Sequence, residues 1–437
     1  MSDAPTPVSP TPSAPTATVF AALWARALLM LRSPATIYLG AAVLARIASV
    51  VLVPLYVRVL TREEYGEVAI VNSLITSVPG VLALGTQAAV SRFYFDGEAG
   101  DPAARRAGSV ARWTLVIGVA MTALLALSIP WLSAPGSVWR SPLGLGCALS
   151  GALGGVLISV PSNYYRAAQL PYRAAAIDLL TFAATLLPAL VLVAGFRMGL
   201  RGAILGLGIG GGLTAVGATA VILRWPGATW DPSLLPSILR FSLPIAPHLI
   251  AAQVLAVGDR WVLAGFGATA SLGSISLASQ VTSPSAMVVS ARNEVESARL
   301  GEALRAGGHT SLEAALPRSV RAYLLTMLVS GVGTLALLPV IVPIVGPKFS
   351  GALWLVPALL ACALIDVVYL PANAVLVYTD RTRELPMITL ASGLTGLAAN
   401  VVLVPRLGVW GVVLARAITV SFRSSLTAYR ALRALRS

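Results

Sequence analysis

The sequence predicts an all-α polytopic membrane protein, with about twelve transmembrane helices in two parallel-repeat six-helix bundles. Three observations carry that expectation. The 437 residues are 57% hydrophobic and only 11% charged, with a mean hydropathy of +0.83. That is more apolar surface than a soluble domain of this length can bury, and it is what helices facing lipid require. Apolar runs of about twenty residues, enough to cross ~30 Å of hydrocarbon as a helix, recur along the chain. The second half also repeats the layout of the first at an offset of about 207 residues.

Taken in order, residues 1–35 stand apart. The first seventeen are rich in Pro, Ser, Ala and Thr and cannot bury a core, so a disordered tail is expected. Residues 17–31 are apolar but short and interrupted by Arg26, which fits a helix lying in the membrane interface. No basic cluster precedes them, so no secretory signal is expected. The N-terminal bundle, 36–224, is expected to hold spans 37–57, 68–90, 113–132, 143–164, 175–196 and 202–223. The C-terminal bundle, 225–437, is expected to hold 243–266, 270–290, 322–345, 352–377, 386–404 and 409–426. Between the eighth and ninth spans, residues 291–321 alternate in charge and read as a pair of surface helices joining the two halves.

A net charge of +14 raises the question of nucleic acid. Position answers it, because the arginines sit in short connections between apolar runs and form no dense stripe. With the N-terminus placed inside, the basic residues outnumber those outside roughly threefold, so both termini are expected in the cytoplasm. Cys147 and Cys362 lie in apolar runs, and His248 and His309 are far apart, so no metal site or cofactor is expected.

The repeat places Tyr65-Gly66-Glu67-Val68 over Leu272-Gly273-Ser274-Ile275, each just after a short turn. Near the ends of the halves, Gly199-Leu200-Arg201-Gly202 matches Gly408-Val409-Trp410-Gly411. Two halves with the same orientation are a plan found in several transporter folds.

Residues 54–66, Pro-Leu-Tyr-Val-Arg-Val-Leu-Thr-Arg-Glu-Glu-Tyr-Gly, resemble the first outer turn of the bacterial polysaccharide flippases of the multidrug/oligosaccharidyl-lipid/polysaccharide (MOP) exporter superfamily. Leu84-Gly85, Ser91-Arg92-Phe93-Tyr94, Phe241-Ser242-Leu243-Pro244 and Gly258-Asp259-Arg260 are similar to features of that family and fall in the same order. The second half departs from the pattern, with Ala270-Ser271-Leu272-Gly273 where an aromatic residue is usual. The resemblance implies movement of an undecaprenyl-pyrophosphate-linked oligosaccharide across the cell inner membrane, for lipopolysaccharide or exopolysaccharide biosynthesis. It also implies alternating access between two bundles, with membrane lipids and polysaccharide-assembly proteins as partners.

Several polar residues within spans are candidates for a substrate cavity. Arg46 falls near the middle of the first span, where an arginine costs ~2.5–3.5 kcal/mol on insertion scales. It either grips an anionic substrate through its planar fork or pairs structurally with Asp366. Gln253 is the repeat equivalent of Arg46. Asp259 and Arg260 are neighbours pointing ~100° apart, so each needs its own partner, and Arg260 can instead snorkel outward. Arg416 either lines the cavity or is paired, and Asp178 reads as a boundary carboxylate. Pro79 and Pro284, at near-equivalent places in the repeat, are hinge or fixed-bend candidates. Gly202, Gly206 and Gly210 form a small-residue stripe suited to helix packing.

The same residues bear on two other functions. One is a small-molecule or multidrug exporter of the same superfamily, coupled to H+ or Na+. The other is a membrane glycosyltransferase or polymerase, which needs acid/base or metal chemistry in a loop that holds sugar. The expected outer loops are too short for that chemistry, so no enzyme is expected.

Overall fold

A computed structural model describes residues 52–95, 103–132, 141–225 and 229–436, and every regular element among them is helical. The segment 1–35, Arg46 and residues 37–51 of the first expected span lie outside the described residues. Nine helices among the described residues are long and apolar enough to cross a membrane. Together the helices build the two-lobe bundle of about twelve that lipid demands of a chain this apolar.

In chain order they are α1 (Arg62–Ser77), α2 (Pro79–Leu82), α3 (Thr86–Phe95), α4 (Ala103–Leu132), α5 (Pro142–Ala167), α6 (Pro171–Leu190) and α7 (Gly199–Leu223). There follow α8 (Leu234–Ser242), α9 (Ala246–Gly265), α10 (Thr269–Val345), α11 (Ser350–Leu353), α12 (Leu355–Asp366), α13 (Tyr369–Tyr378), α14 (Glu384–Leu407) and α15 (Val409–Arg436). α1 starts with a capping box, in which the Thr61 hydroxyl accepts from Glu64 N–H and the Glu64 carboxylate accepts from Thr61 N–H.

The second span, expected as one helix over 68–90, is broken into three. Pro79 cannot donate a backbone hydrogen bond and opens a new short helix. Leu84 and Gly85 then adopt left-handed φ angles of 48° and 79°, which separate α2 from α3. Gly85 is required there for a second reason. A Cβ on it would stand 3.0 Å from the Ser242 carbonyl oxygen, at the break between α8 and α9. Two of the motifs that carry the family resemblance therefore meet. The tenth span, expected over 352–377, is likewise split into α11, α12 and α13.

Residues 291–321 correct a further expectation. They are helical and continuous with both flanking spans, and they join two helices of the second lobe rather than the two halves. α10 turns back on itself at Gly308, whose φ is 64°. Consequently Ser285 Oγ lies 2.8 Å from Thr334 Oγ1, and Tyr323 Oη donates to Asn293 Oδ1 at 2.8 Å. The arm Gly308–Val345 has 38 residues, about 57 Å at 1.5 Å per residue, so it outruns ~30 Å of hydrocarbon. The turn end of the helical hairpin is held by Leu300 and Leu312, which pack with Val375, Leu376 and Ala431 of α13 and α15. Glu296, almost fully buried, accepts from Arg292 at 2.8 Å and Arg299 at 2.9 Å.

Within the first lobe, glycines let helix backbones touch. Gly202, Gly206 and Gly210 of α7 face Leu192, Ala189 and Ala184 of the helical segment that precedes it. On the other side of α7, Gly211 meets Gly151 and Gly154 of α5.

The two lobes cross in backbone contact at repeat-equivalent positions. A Cβ on Gly66 would overlap the carbonyl oxygen of Thr269, and a Cβ on Gly273 would overlap that of Arg62. The contact is reciprocal, as two copies of one motif meeting about a pseudo-twofold axis must be. Around it, Tyr65 stacks edge-on against Phe349 with centroids 5.5 Å apart, and Arg62 Nε donates to the Lys348 carbonyl.

Candidate functional site

Beneath that crossing lies a cavity of about 630 Å³, bounded by the helical residues 52–59 and by α1, α5, α6 and α7 of the first lobe and α9 and α10 of the second. Its walls follow from helix geometry. α1 presents Tyr65, Val68, Ala69 and Asn72, and α10 presents Ser276, Ser279, Gln280 and Ser283. Each set has the i, i+3, i+4, i+7 spacing that places residues on one face. Asn72 and Ser279 are again repeat equivalents. The facing wall is α5, with Ser159, Ser162 and Arg166, and α6, with Asp178, Thr181 and Thr185.

Several of these hydroxyls are already donors to their own helices. Ser159 donates to Val156 O at 2.6 Å, Thr185 to Thr181 O at 2.9 Å and Ser283 to Gln280 O at 2.8 Å. Their oxygen lone pairs stay available to a guest. Tyr56 Oη and Ser276 Oγ are buried in the lining and bond to nothing among the described residues. Unmet buried polar groups of this kind are unfavourable until a ligand or water satisfies them.

Charge is sparse and uneven. Asp178 is the one carboxylate in the described lining, and Arg166 holds it at 3.1 Å. Arg260, near the crossing, has no carboxylate within ion-pair distance among the described residues. Its neighbour Asp259 turns Oδ1 back to the Arg260 backbone N–H at 2.8 Å.

Of the residues singled out from sequence, Arg260 lines this cavity, while Gln253, Asp259, Asp366 and Arg416 are not in its lining. Gln253 reaches toward Gly80, with its Nε2 3.6 Å from where a Cβ would stand. Arg416 lies near Cys362 in the second lobe. Asp366 is engaged by Arg423, whose Nε donates to Oδ1 at 3.1 Å and whose guanidinium stacks 4.4 Å above the Tyr369 ring. Removing one partner leaves the other half-buried and unpaired, so Asp366→Ala should lower stability by about 1.5–3 kcal/mol. Asp366→Asn with Arg423→Gln should recover most of it, as read from thermal unfolding in detergent. Full stability in Asp366→Ala would show the pair to be idle.

The proline candidates differ from each other. Pro79 abuts α5 where Gly155 leaves room, since a Cβ there would come within 2.6 Å of Pro79 Cγ. Pro284 sits inside unbroken helix, and Ser283 Oγ donates to the Gln280 carbonyl that the proline leaves unbonded.

Solved structures share this fold. The chain is similar to lipid II flippase MurJ in an inward closed conformation, with a TM-score of 0.69 and 15% identity over 91% of this chain and 88% of that one. An inward-facing multidrug-resistance transporter of the MATE family gives 0.67 and 15% over 90% and 94% of the two chains. The chain has the fold of MOP-superfamily transporters. A third member of that superfamily, from Pyrococcus furiosus, gives 0.58 and 17% over 92% and 95%, and is described as having a binding pocket of reverse polarity. No protein-family model and no curated protein matches the chain. The structures sharing the fold include both exporters and a flippase, so the lining must decide between cargoes.

Sequence reasoning missed most of that lining. Asn72, Ser159, Ser162, Gln280 and Ser283 carry no charge and break no hydropathy threshold. The signal that could have found them is a polar stripe at helical spacing within otherwise apolar spans.

Proposed function

We propose that the chain is a flippase carrying an oligosaccharide linked to undecaprenyl pyrophosphate across the cell inner membrane, for surface polysaccharide biosynthesis. The polarity of the inter-lobe cavity supports this reading. Among the described residues its walls are rich in hydroxyls and amides, its one carboxylate is paired with Arg166, and Arg260 has no carboxylate partner. A glycan presents hydroxyls that both donate and accept, and a guanidinium suits a pyrophosphate. Among the described lining residues, a cationic drug would meet Arg260 without a free carboxylate to balance it.

The expected orientation puts both termini in the cytoplasm and the Gly66–Gly273 crossing on the outer side. Substrate then loads from the inner leaflet and leaves once the crossing opens. H+ and Na+ are the candidate coupling ions.

The test uses proteoliposomes holding the full chain and a polyprenyl-pyrophosphate-linked oligosaccharide. An impermeant glycan-modifying enzyme outside should exhaust the whole lipid pool with protein present, and only the outer leaflet's share without it. Collapsing Na+ and H+ gradients in turn identifies the coupling ion. Gradient-driven uptake of a cationic dye, with no movement of the lipid, would replace this reading with the exporter.

A further inference from the structure

A second groove, of about 420 Å³, lies on the first lobe and shares no lining residue with the inter-lobe cavity. It is bounded by Tyr164 and Tyr165 at the end of α5, Arg173 in the first turn of α6, and Ala220, Val221, Arg224 and Trp225 at the end of α7. We infer that this groove binds the headgroup of an anionic glycerophospholipid.

Its floor is aromatic. Tyr164 and Trp225 meet edge-on with centroids 4.3 Å apart, and Tyr165 adjoins Tyr164 at 5.4 Å. Trp and Tyr collect at the headgroup level of a bilayer, and Trp225 directly follows the 25-residue apolar helix α7 and Arg224. The rim is cationic. Arg173 and Arg224 are exposed, and no described carboxylate lines the groove or pairs with either. The guanidinium of Arg173 lies 5.9 Å from the Tyr165 ring centroid, so it is partly oriented without being neutralised.

A helix C-terminus would ordinarily repel an anion. Here Arg112 donates to the Leu223 carbonyl at 3.2 Å and offsets that end of α7.

Lipid, rather than free phosphate, follows from what lies below the rim. Ala220 and Val221 continue along the same face of α7 as Val216 and Leu213, which are 71% and 55% exposed. That exposed apolar track gives an acyl chain a path down from the headgroup. A free phosphate would gain nothing from it.

Native mass spectrometry of the full chain in mild detergent tests the assignment, with phosphatidylglycerol, phosphatidylcholine and inorganic phosphate as probes. Phosphatidylglycerol should be retained and phosphatidylcholine should not. Arg173→Gln with Arg224→Gln should weaken retention roughly 30-fold, taking about 1 kcal/mol per basic residue at the membrane surface. Arg173→Lys with Arg224→Lys should stay within a few-fold of the parent, which also shows that the site tolerates substitution. Arg201→Gln with Arg406→Gln, both exposed elsewhere on the protein, should change nothing. Equal phosphatidylglycerol retention in the first double variant would overturn the assignment. So would equal retention of phosphatidylcholine, or displacement of the lipid by millimolar phosphate. None of these outcomes depends on the transported substrate.

Discussion

Arg260→Gln is expected to cut lipid-linked oligosaccharide transport at least tenfold, while the protein remains at its normal level in the membrane. The guanidinium faces the cavity without a carboxylate partner among the described residues, so its removal strands no counter-ion. An arginine without an ion partner inside a span is itself unfavourable, so losing it should leave stability level or higher. A charge-assisted hydrogen bond to substrate contributes about 1.5–3 kcal/mol, which sets the expected loss at roughly 10- to 150-fold. Arg260→Lys keeps the charge but not the fork, and should fall between the two. Transport and membrane abundance need measuring together. Parallel loss of both would make Arg260 a structural residue, and unchanged transport in Arg260→Gln would sink its role in binding.

The second large effect is expected at the lobe crossing. Gly66→Val places a branched side chain where even a Cβ overlaps the Thr269 carbonyl, and Gly273→Val does the same against Arg62. Neither helix can yield at its backbone without moving its lobe. Overpacking of this kind costs about 1–3 kcal/mol, and here the strain is relieved by parting the lobes at that end. Transport should drop to background in both variants because the cavity can no longer be sealed beneath the crossing. A cysteine introduced at Ser276, in the cavity lining, reports the change. It should react with an impermeant thiol reagent from the crossing side in the glycine variants and be protected in the parent. Wild-type transport in both variants would show that the crossing is not a gate.

The two predictions rest on different kinds of legibility. Arg260 stood out in the sequence because a charge inside an apolar span is expensive wherever the helix ends up. Gly66 and Gly273 also stood out, as matching points of a repeat, but their contact did not. A repeat records that two segments have the same local environment, and it does not say that they touch.

Helix number, approximate span positions and the doubled plan were legible in the sequence alone, because lipid requires each span to be long, apolar and internally hydrogen-bonded. Local steric facts could be read as well, such as the proline at 79 and the small-residue stripe at Gly202, Gly206 and Gly210. Only the tertiary structure decided which polar groups face one another. Asp366 and Arg423 are 57 residues apart and meet because α12 and α15 pack together. The cavity takes its lining from several helices, and most of the polar groups they give it are uncharged and too faint to notice one helix at a time. A span's hydropathy is a property of its own residues, whereas a binding site is a property of faces, and which faces converge is set by how the helices pack.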